Sequence, residues 1–304
     1  MRVFRACHDL GLQTIAMYSK EDTYSLFRTA ADESYLIGEN KSPLGAYLDI
    51  DLIIDLAKRR GADAIHPGYG FLAENGDFAR ACEANGIKFI GPTSRILDTM
   101  GDKLSAKRLA ISCGVPTIPG TSEPIRDREE AEKLAVSFGF PVILKAAAGG
   151  GGRGMRRCES VEEVAPAFDL VKSEALKAFG NADIFMEKFL VEPKHVEVQI
   201  LADEHGHVFH LYERDCSLQR RYQKVVEFTP AFSVPQEVRK ELYTDAVKIA
   251  KAVGYINAGT VEFLVDRNGG HYFIEMNPRI QVEHTVTEMI TGIDLVRAQI
   301  LIAE

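Results

Sequence analysis

Alternation of polar and apolar residues near the end of the chain constrains its fold most strongly. Within 275–283 every second residue is polar, namely Glu275, Asn277, Arg279, Gln281 and Glu283. Alternate side chains of an extended chain share a face, so the pattern predicts a strand with one polar face. Pro278 cannot donate to a strand ladder, so we expect regular pairing to end at Asn277. Carboxylate oxygens suit a hard cation and a guanidinium suits an oxyanion; the alternative is an amphipathic strand with a solvated face.

A second acidic strand precedes this one. In the run 259–265, period two places Glu262 and Leu264 on one face of a strand, and the turn-forming residues 266–270 follow. The two strands are therefore predicted to form an antiparallel hairpin that brings Glu262 close to Glu275. Two acids that face each other across a hairpin repel unless a cation lies between them. We therefore predict a Mg²⁺ site here, completed by phosphate oxygens and water.

A glycine-rich loop follows a short apolar strand that carries Lys145. Four consecutive glycines, 149–152, would let backbone N–H groups approach phosphate oxygens without obstruction from a Cβ atom. The loop lacks the Gly-Lys-Ser/Thr sequence of a Walker motif, and its spacing differs from a dinucleotide fingerprint. A phosphate-binding lid is predicted, and a plain glycine linker is the alternative.

Two further stretches could contribute to an anion or nucleotide site. The run 186–189 lies at a strand end and could line an apolar slot for a nucleotide base. The run 219–224 forms a basic cluster in an acidic protein and could neutralise phosphate or bicarbonate. Each has an ordinary alternative, an exposed strand end in the first case and a solvated loop in the second.

The order of elements predicts an α/β region followed by an α+β region. Residues 1–100 alternate helices with short apolar strands, as a parallel, doubly wound sheet does, although the chain begins on a helix and a first strand is expected to be missing. Asp127 and Glu130 form a capping-box pattern, and Ser160 with Glu163 marks another helix start that Pro166 would kink or delay. Beyond residue 190 we predict strands and loops with a single helix near 235–253.

Composition limits the possible partners and compartments. The net charge of −8 argues against a nucleic-acid partner, which requires a basic surface. The five cysteines form no Cys-x-x-Cys pair, which favours a reducing compartment: the cytoplasm, or the mitochondrial matrix if the source is eukaryotic. No apolar run approaches the length of a membrane span, and no signal peptide is visible.

Taken together, six runs resemble the biotin carboxylases, which are ATP-grasp enzymes. They are IHPGYGFLAEN (65–75), GDK (101–103), KAAAGGGGRGM (145–155), MEKF (186–189), ERDCSLQRRYQKVVE (213–227) and FIEMNPRIQVEHTVTEM (273–289). The resemblance implies an ATP-grasp fold behind a Rossmann-like domain, truncated at both ends. The implied parts are a Rossmann-like domain at 1–100, a connecting helix at 101–117, a lid at 118–189 that carries the glycine loop, and an incomplete C-terminal half at 190–304.

The family pattern also implies roles for individual residues. ATP would be bound by Lys103, Lys145, Gly150, Gly151, Gly152, Met155, Glu187, Lys188, Leu190, His195, Gln219 and Leu264. Mg²⁺ or Mn²⁺ would be held by Glu262, Glu275 and Asn277. Bicarbonate and biotin would be bound by Tyr69, Lys224, Arg279, Gln281, Val282 and Glu283. Within this last group Glu283 would be the general base, and Arg279 and Lys224 its catalytic partners.

The implied reaction is phosphorylation of bicarbonate by ATP to carboxyphosphate, followed by carboxylation of biotin on a carrier domain or protein. Within the family, NPRIQVEHTVTE and KSPLGAYLDI resemble the pyruvate carboxylase branch more than the acyl-CoA carboxylase branch. Family members continue beyond the position of Glu304 and are expected to form homo-oligomers when full length; Tyr222 stands where they often have histidine. Two other interpretations remain open: an ATP-grasp ligase that joins a carboxylate to an amine, and a truncated fragment that binds nucleotide without turnover.

Overall fold

The computed structural model describes residues 1–147, 154–221 and 223–304. In the N-terminal region helices alternate with short strands. The elements are α1 (Arg2–Asp9), β1 (Ile15–Tyr18), α2 (Leu26–Ala30), β2 (Glu33–Leu36), α3 (Pro43–Tyr47), α4 (Ile50–Arg60), β3 (Ala64–Ile65), α5 (Gly76–Ala84), β4 (Lys88–Phe89) and α6 (Ser94–Gly101). Strands β1 and β2 pair in parallel, as do β3 and β4, so the predicted parallel pairing is confirmed.

A small antiparallel sheet forms the middle of the chain. After α7 (Lys103–Ser112), the elements are α8 (Arg128–Phe138), β5 (Val142–Ala146), β6 (Met155–Cys158), α9 (Val161–Phe179) and β7 (Ile184–Lys188), and the strand order is β6-β5-β7. The sheet and its two long helices share one apolar core, which includes Leu144, Phe168 and Met186.

Local capping explains where α8 begins. The Asp127 carboxylate accepts a hydrogen bond from the Glu130 backbone N–H at 2.9 Å, which satisfies an otherwise unpaired donor of the first turn. The Glu130 side chain reaches back to the Arg126 N–H, one residue before the position that a standard capping box uses. In α9 the expected delay at Pro166 is wrong: the helix begins at Val161 and contains the proline.

A five-stranded antiparallel sheet dominates the C-terminal region and carries the polar face predicted from the sequence. The elements are β8 (Lys194–Ala202), β9 (Val208–Arg220), β10 (Gln223–Phe228), α10 (Gln236–Val253), β11 (Asn257–Val265), β12 (His271–Asn277), α11 (His284–Thr291) and α12 (Leu295–Ala303). The strand order is β10-β9-β8-β11-β12. Helices α7 and α10 contribute to the apolar core under β8 and β11.

The prediction of a single helix beyond residue 190 is wrong, because α11 and α12 follow β12. Asp294 caps α12 by accepting a hydrogen bond from the Arg297 N–H at 2.8 Å, a local signal that the sequence contains. Helix α12 packs against α1 through residues such as Ala6, Leu295 and Ile300. That contact joins the two ends of the chain. The sequence does not predict it, because periodicity in such a short apolar segment does not identify a helix or its partner.

The strands of the described residues thus form four sheets, two of them two-stranded and both in the N-terminal region. The predicted domain boundaries at 100, 117 and 189 stay predictions. Within the described ranges, no helix combines the length and the apolar character that crossing a bilayer would require.

Candidate active site

The β11–β12 hairpin brings two acidic side chains together. Glu262 and Glu275 are direct Cα partners, and a register irregularity follows Glu262. The turn between the strands is stabilised by the Asp266 carboxylate, which accepts hydrogen bonds from the backbone N–H groups of Asn268 and Gly270. The predicted antiparallel hairpin is therefore confirmed, and its strand ends at Asn277, just before the proline.

Protein groups surround the Glu262 carboxylate closely. One oxygen lies 2.6 Å from His195 Nε2, and the other accepts hydrogen bonds from Lys224 Nζ at 3.0 Å, Asn277 Nδ2 at 2.7 Å and Gln281 Nε2 at 3.1 Å. Burial alone would raise the pKa of Glu262, but His195 and Lys224 together lower it to about 2. Gln219 Nε2 lies 2.8 Å from His195 Nδ1 on the far side of the imidazole ring.

Glu275 has a very different environment. Within the described parts of the chain, no donor is hydrogen-bonded to its carboxylate. Burial and the neighbouring Glu262 charge raise its pKa, with Glu74 adding to the effect and Lys103, at the start of α7, opposing it. A carboxylate that lies opposite another acid without a partner of its own fits a hard divalent cation, whose charge would offset the repulsion. Glu262, Glu275 and Asn277 therefore suit the predicted Mg²⁺ or Mn²⁺ site.

Another group near this hairpin, consisting of His195, Glu197 and Glu262, has its potential ligand atoms within 4.8 Å of one another. Two permanent cations, Lys224 and Arg214, already pair with Glu197 in this group. Lys224 also pairs with Glu262, so a divalent cation on either side of Glu262 lies near that ammonium. The hairpin side is the better candidate because, among the described residues, neither cation pairs with Glu275.

Replacing Glu275 by Gln should raise the melting temperature of the ligand-free protein by a few degrees at pH 8. A carboxylate whose folded-state pKa is raised opposes folding when ionised, and this penalty is relieved as the pH falls through that pKa. The gap between variant and wild type should therefore shrink towards pH 5. Added MgCl₂ should raise the melting temperature of the wild type more than that of E275Q.

The measurement is thermal unfolding at several pH values, with and without Mg²⁺, and the matched control is E237Q, because Glu237 is exposed on α10. A lower melting temperature for E275Q at pH 8 would contradict the assignment of an unpaired charge.

One lysine connects the hairpin to the start of α11. The Lys224 ammonium pairs with Glu197, with Glu262 at 3.0 Å and with Glu283 at 2.8 Å. We call these four residues the Lys224 centre. Burial disfavours the ammonium, but the carboxylates outweigh it and raise the pKa of Lys224 above its ordinary value.

Glu283 lies at the N-terminal end of α11, outside the strand. Burial raises the pKa of its carboxyl group, but the hydrogen bond and charge of Lys224 outweigh burial and lower it. Val282 beside it is mostly exposed, whereas the Gln281 side chain is buried and points into the Lys224 centre.

The Arg279 guanidinium is held by three acceptors. Its Nη atoms donate to the Ile280 carbonyl and to Asn277 Oδ1, each at 3.2 Å, and its Nε lies 3.2 Å from the Glu74 carboxylate. Glu74 belongs to the loop before α5 that also carries Tyr69, which is about half exposed. The N-terminal region therefore contacts the predicted anion site directly.

The predicted nucleotide residues of the middle region lie around β5 and β7. Lys145 pairs with Glu187, and Lys107 lies 3.6 Å from the same carboxylate. Although burial raises the pKa of Glu187, the Lys145 charge lowers it. The Lys188 ammonium donates to the Gly139 and Phe140 carbonyl groups, and its backbone N–H donates to the Pro119 carbonyl at 2.8 Å.

The remaining predicted nucleotide residues divide into two groups. Met155 pairs in register with Lys145, Leu190 follows β7, and Leu264 is the Cα partner of His195. The glycines Gly150, Gly151 and Gly152, and also Tyr222, lie outside the described residues.

Sequence reasoning missed three residues that contact this site: Glu74, Glu197 and Arg214. The sequence does contain a signal for Glu197, because Glu197 and Gln199 alternate with valines along β8. The alternation suggests a solvated polar face, whereas all of these side chains are buried. Arg214 and Glu74 reach the site from other elements, and no local pattern indicates such contacts.

Comparison with known proteins now adds to this geometry. Residues 1–97 match the family described as "Biotin carboxylase, N-terminal domain", and residues 102–304 match "Carbamoyl-phosphate synthase L chain, ATP binding domain". The chain belongs to the biotin carboxylase family. Among solved structures, the biotin carboxylase–βγ-ATP complex of Campylobacter jejuni superimposes with a TM-score of 0.92 at 47% identity, covering 99% of this chain and 68% of that one. The predicted ATP-grasp fold is thereby confirmed.

Two other kinds of relative belong to larger carboxylases. This biotin carboxylase chain is 57% identical over its whole length to mitochondrial pyruvate carboxylase of Mus musculus and 56% identical to pyruvate carboxylase of Bacillus subtilis. In both cases it spans 26% of the relative's length. The biotin carboxylase domain of Hydrogenobacter thermophilus 2-oxoglutarate carboxylase, in complex with MgADP, ADP and bicarbonate, has a TM-score of 0.91 at 52% identity and is covered over 66% of its length.

Proposed function

We propose that this chain carries out the first half-reaction of a pyruvate carboxylase. ATP phosphorylates bicarbonate to carboxyphosphate, which carboxylates biotin attached to a carrier domain or protein. The observation that carries this proposal is the Lys224 centre, where one ammonium contacts both Glu283 and Glu262. A site for a small anion that must be deprotonated therefore adjoins a site suited to a metal–nucleotide complex.

The residues of the centre have the properties that phosphoryl transfer requires. Positioning and charge neutralisation account for most of the catalysis of such reactions. Arg279 and Lys224 can bind an oxyanion, Arg279 in a bidentate manner. The Glu283 carboxylate can accept the bicarbonate proton, so that a bicarbonate oxygen attacks the γ-phosphorus of ATP as the bond to ADP breaks.

The nucleotide would lie between the middle region and the hairpin. We propose that its phosphates contact Lys103, Lys145, His195 and the glycine loop, and that its base and ribose contact the strand end at 187–190 together with Gln219 and Leu264. A Mg²⁺ or Mn²⁺ held by Glu262, Glu275 and Asn277 would neutralise phosphate charge. Tyr69 and Val282 would border the biotin side.

Several relatives support this assignment. One solved relative is a complex with MgADP and bicarbonate, and another is described as the biotin carboxylase subunit of pyruvate carboxylase, at 51% identity and a TM-score of 0.81. The curated relatives with 55–57% identity are pyruvate carboxylases. By the same reasoning we propose ATP, bicarbonate and a biotinylated carrier as partners, self-association in the full-length protein, and a location in the cytoplasm or mitochondrial matrix.

The decisive experiment measures phosphate release from ATP by this chain and by the full-length protein that contains it. We expect release to require bicarbonate and to increase when free biotin is added. Release that depends instead on an amine and a carboxylate would support a different ATP-grasp ligase, and nucleotide binding without any release would support a binding fragment. In the full-length protein, transfer to pyruvate rather than to an acyl-CoA identifies the branch.

A further inference from the structure

Arg214, in the middle of β9, is completely buried and uses every part of its guanidinium. Its side chain has no exposed surface, which is unusual for an arginine unless its charge is paired. Its Nε donates to Glu197 at 2.6 Å. The two Nη atoms donate to a ring of polar side chains from β8, β11, α11 and the segment before it, namely Gln199, Thr287, Thr260 and Gln281.

Arg214 connects with the Lys224 centre by two routes. One oxygen of Glu197 accepts from Arg214, while the other pairs with Lys224. Gln281 accepts from Arg214 through its carbonyl oxygen and donates through its amide nitrogen to Glu262 at 3.1 Å. Arg214 therefore controls the orientation of a residue on each side of Lys224 without lying in the centre itself.

The charges of the centre explain why this matters. Three carboxylates, those of Glu197, Glu262 and Glu283, surround one lysine, and Arg214 is the second permanent cation that pairs with any of them. Without Arg214, the completely buried Glu197 would have Lys224 as its main counterion. An ammonium held in that way could not turn towards an incoming anion without leaving a buried charge unpaired, which is costly.

We propose that Arg214 is a positioning residue for the bicarbonate site: by pairing with Glu197, it leaves the Lys224 ammonium available to the incoming anion. The proposal rests on the function proposed above. According to this proposal, the buried Arg214 stabilises the fold and also affects the affinity for one substrate, bicarbonate.

The test is steady-state kinetics of bicarbonate-dependent ATP cleavage by the full-length protein and its R214M variant. We expect the KM for bicarbonate to rise about tenfold or more, the order expected when a hydrogen bond to a charged group is weakened. The KM for ATP should change little. Because E197Q removes the carboxylate that captures Lys224, the double variant R214M/E197Q should have a lower bicarbonate KM than R214M. E197Q also removes the buried charge that R214M leaves without its arginine, so the melting temperatures of both variants are measured as well, and the kinetics are compared at a temperature where both are folded.

Two further variants separate this role from stability. R214K keeps the charge but loses most of the hydrogen bonds, so its melting temperature should fall while its bicarbonate KM stays near that of the wild type. R239M is the matched control. Arg239, on α10, pairs at 3.1 Å with the buried Glu213, which lies on β9 next to Arg214 but outside the Lys224 centre. R239M should lose stability without a change in bicarbonate KM.

The outcomes distinguish the two proposals. If the wild type shows no bicarbonate-dependent cleavage, the proposed function fails and this inference fails with it. If the wild type shows cleavage but R214M keeps its bicarbonate KM, or E197Q does not relieve the defect, only the role of Arg214 is overturned. If R214M does not fold, R214K decides. A bicarbonate KM of R214K that rises about tenfold, together with a lower melting temperature, would also overturn the role of Arg214.

Discussion

Replacing Glu283 by Gln should abolish bicarbonate-dependent ATP cleavage while leaving nucleotide affinity nearly unchanged. Glutamine keeps the size of the side chain and one hydrogen-bond acceptor, but it cannot take a proton. Removing a general base typically slows a reaction about 10²–10⁴-fold. Glu283 lies at the start of α11 and contacts Lys224, whereas none of the proposed nucleotide residues belongs to α11. E283Q should therefore lose turnover without losing nucleotide affinity.

The electrostatics of Glu283 explain when it can act. In the ligand-free protein Lys224 lowers the pKa of Glu283, which keeps it ionised but makes it a weak base. An anion that attracts the Lys224 ammonium would weaken that contact, and the remaining burial would then raise the pKa. The base is therefore expected to strengthen as its substrate arrives. The acid limb of the bicarbonate-dependent rate of the wild type reports this titration.

The measurement for E283Q combines phosphate release with the binding of a fluorescent ATP analogue. E237Q is the matched control, since it makes the same chemical change at an exposed position on α10. Full turnover by E283Q would show that another group is the base. A parallel loss of nucleotide affinity would instead mean that Glu283 serves to maintain the site.

The residues of the hairpin show what could be predicted from sequence. Strand alternation and the glycine turn placed Glu262 opposite Glu275, because both signals are local and have a simple geometric meaning. The resemblance to a family drew attention to Lys224 and Glu283, which lie 59 residues apart and share a hydrogen bond. Alternation alone would have left Glu283 on an extended strand, whereas it begins a helix.

Residues that act through the fold were harder to find. Arg214 and Glu74 reach the site from β9 and from the N-terminal region, so their roles depend on contacts distant in sequence. The two acids of the hairpin also differ in their partners. The protein itself places the Lys224 ammonium and the His195 ring against Glu262, while among the described residues Glu275 receives neither contact. Sequence indicated that the acids meet, but only the structure shows which one lacks a partner.

Replacing Lys224 by Met should destabilise the ligand-free protein strongly, in addition to abolishing turnover. The substitution leaves the buried carboxylates of Glu197 and Glu283 without their lysine and removes one of the cations beside Glu262. Removing one partner of a buried ion pair typically costs about 3–5 kcal/mol, and Lys224 is partly exposed, so we expect about 3 kcal/mol. For a chain of this size that corresponds to a decrease in melting temperature of roughly 5 °C.

The pKa shifts predict how the difference in stability between the wild type and K224M changes with pH. In the wild type the folded-state pKa of Glu262 is lowered to about 2, so its stabilising contribution is present above the unfolded-state pKa and is lost as the pH falls towards 2. In K224M Glu197 keeps Arg214 and Glu262 keeps His195, but Glu283 loses the ammonium that lowers its pKa. Burial would then raise the pKa of Glu283, so protonation should restore stability as the pH decreases. Thermal unfolding should therefore show a large gap between the two proteins at pH 8 that narrows towards pH 5. The control K251M, at an exposed position of α10, should show no such gap, and a gap for K224M that is constant with pH would contradict the charge balance assigned to the Lys224 centre.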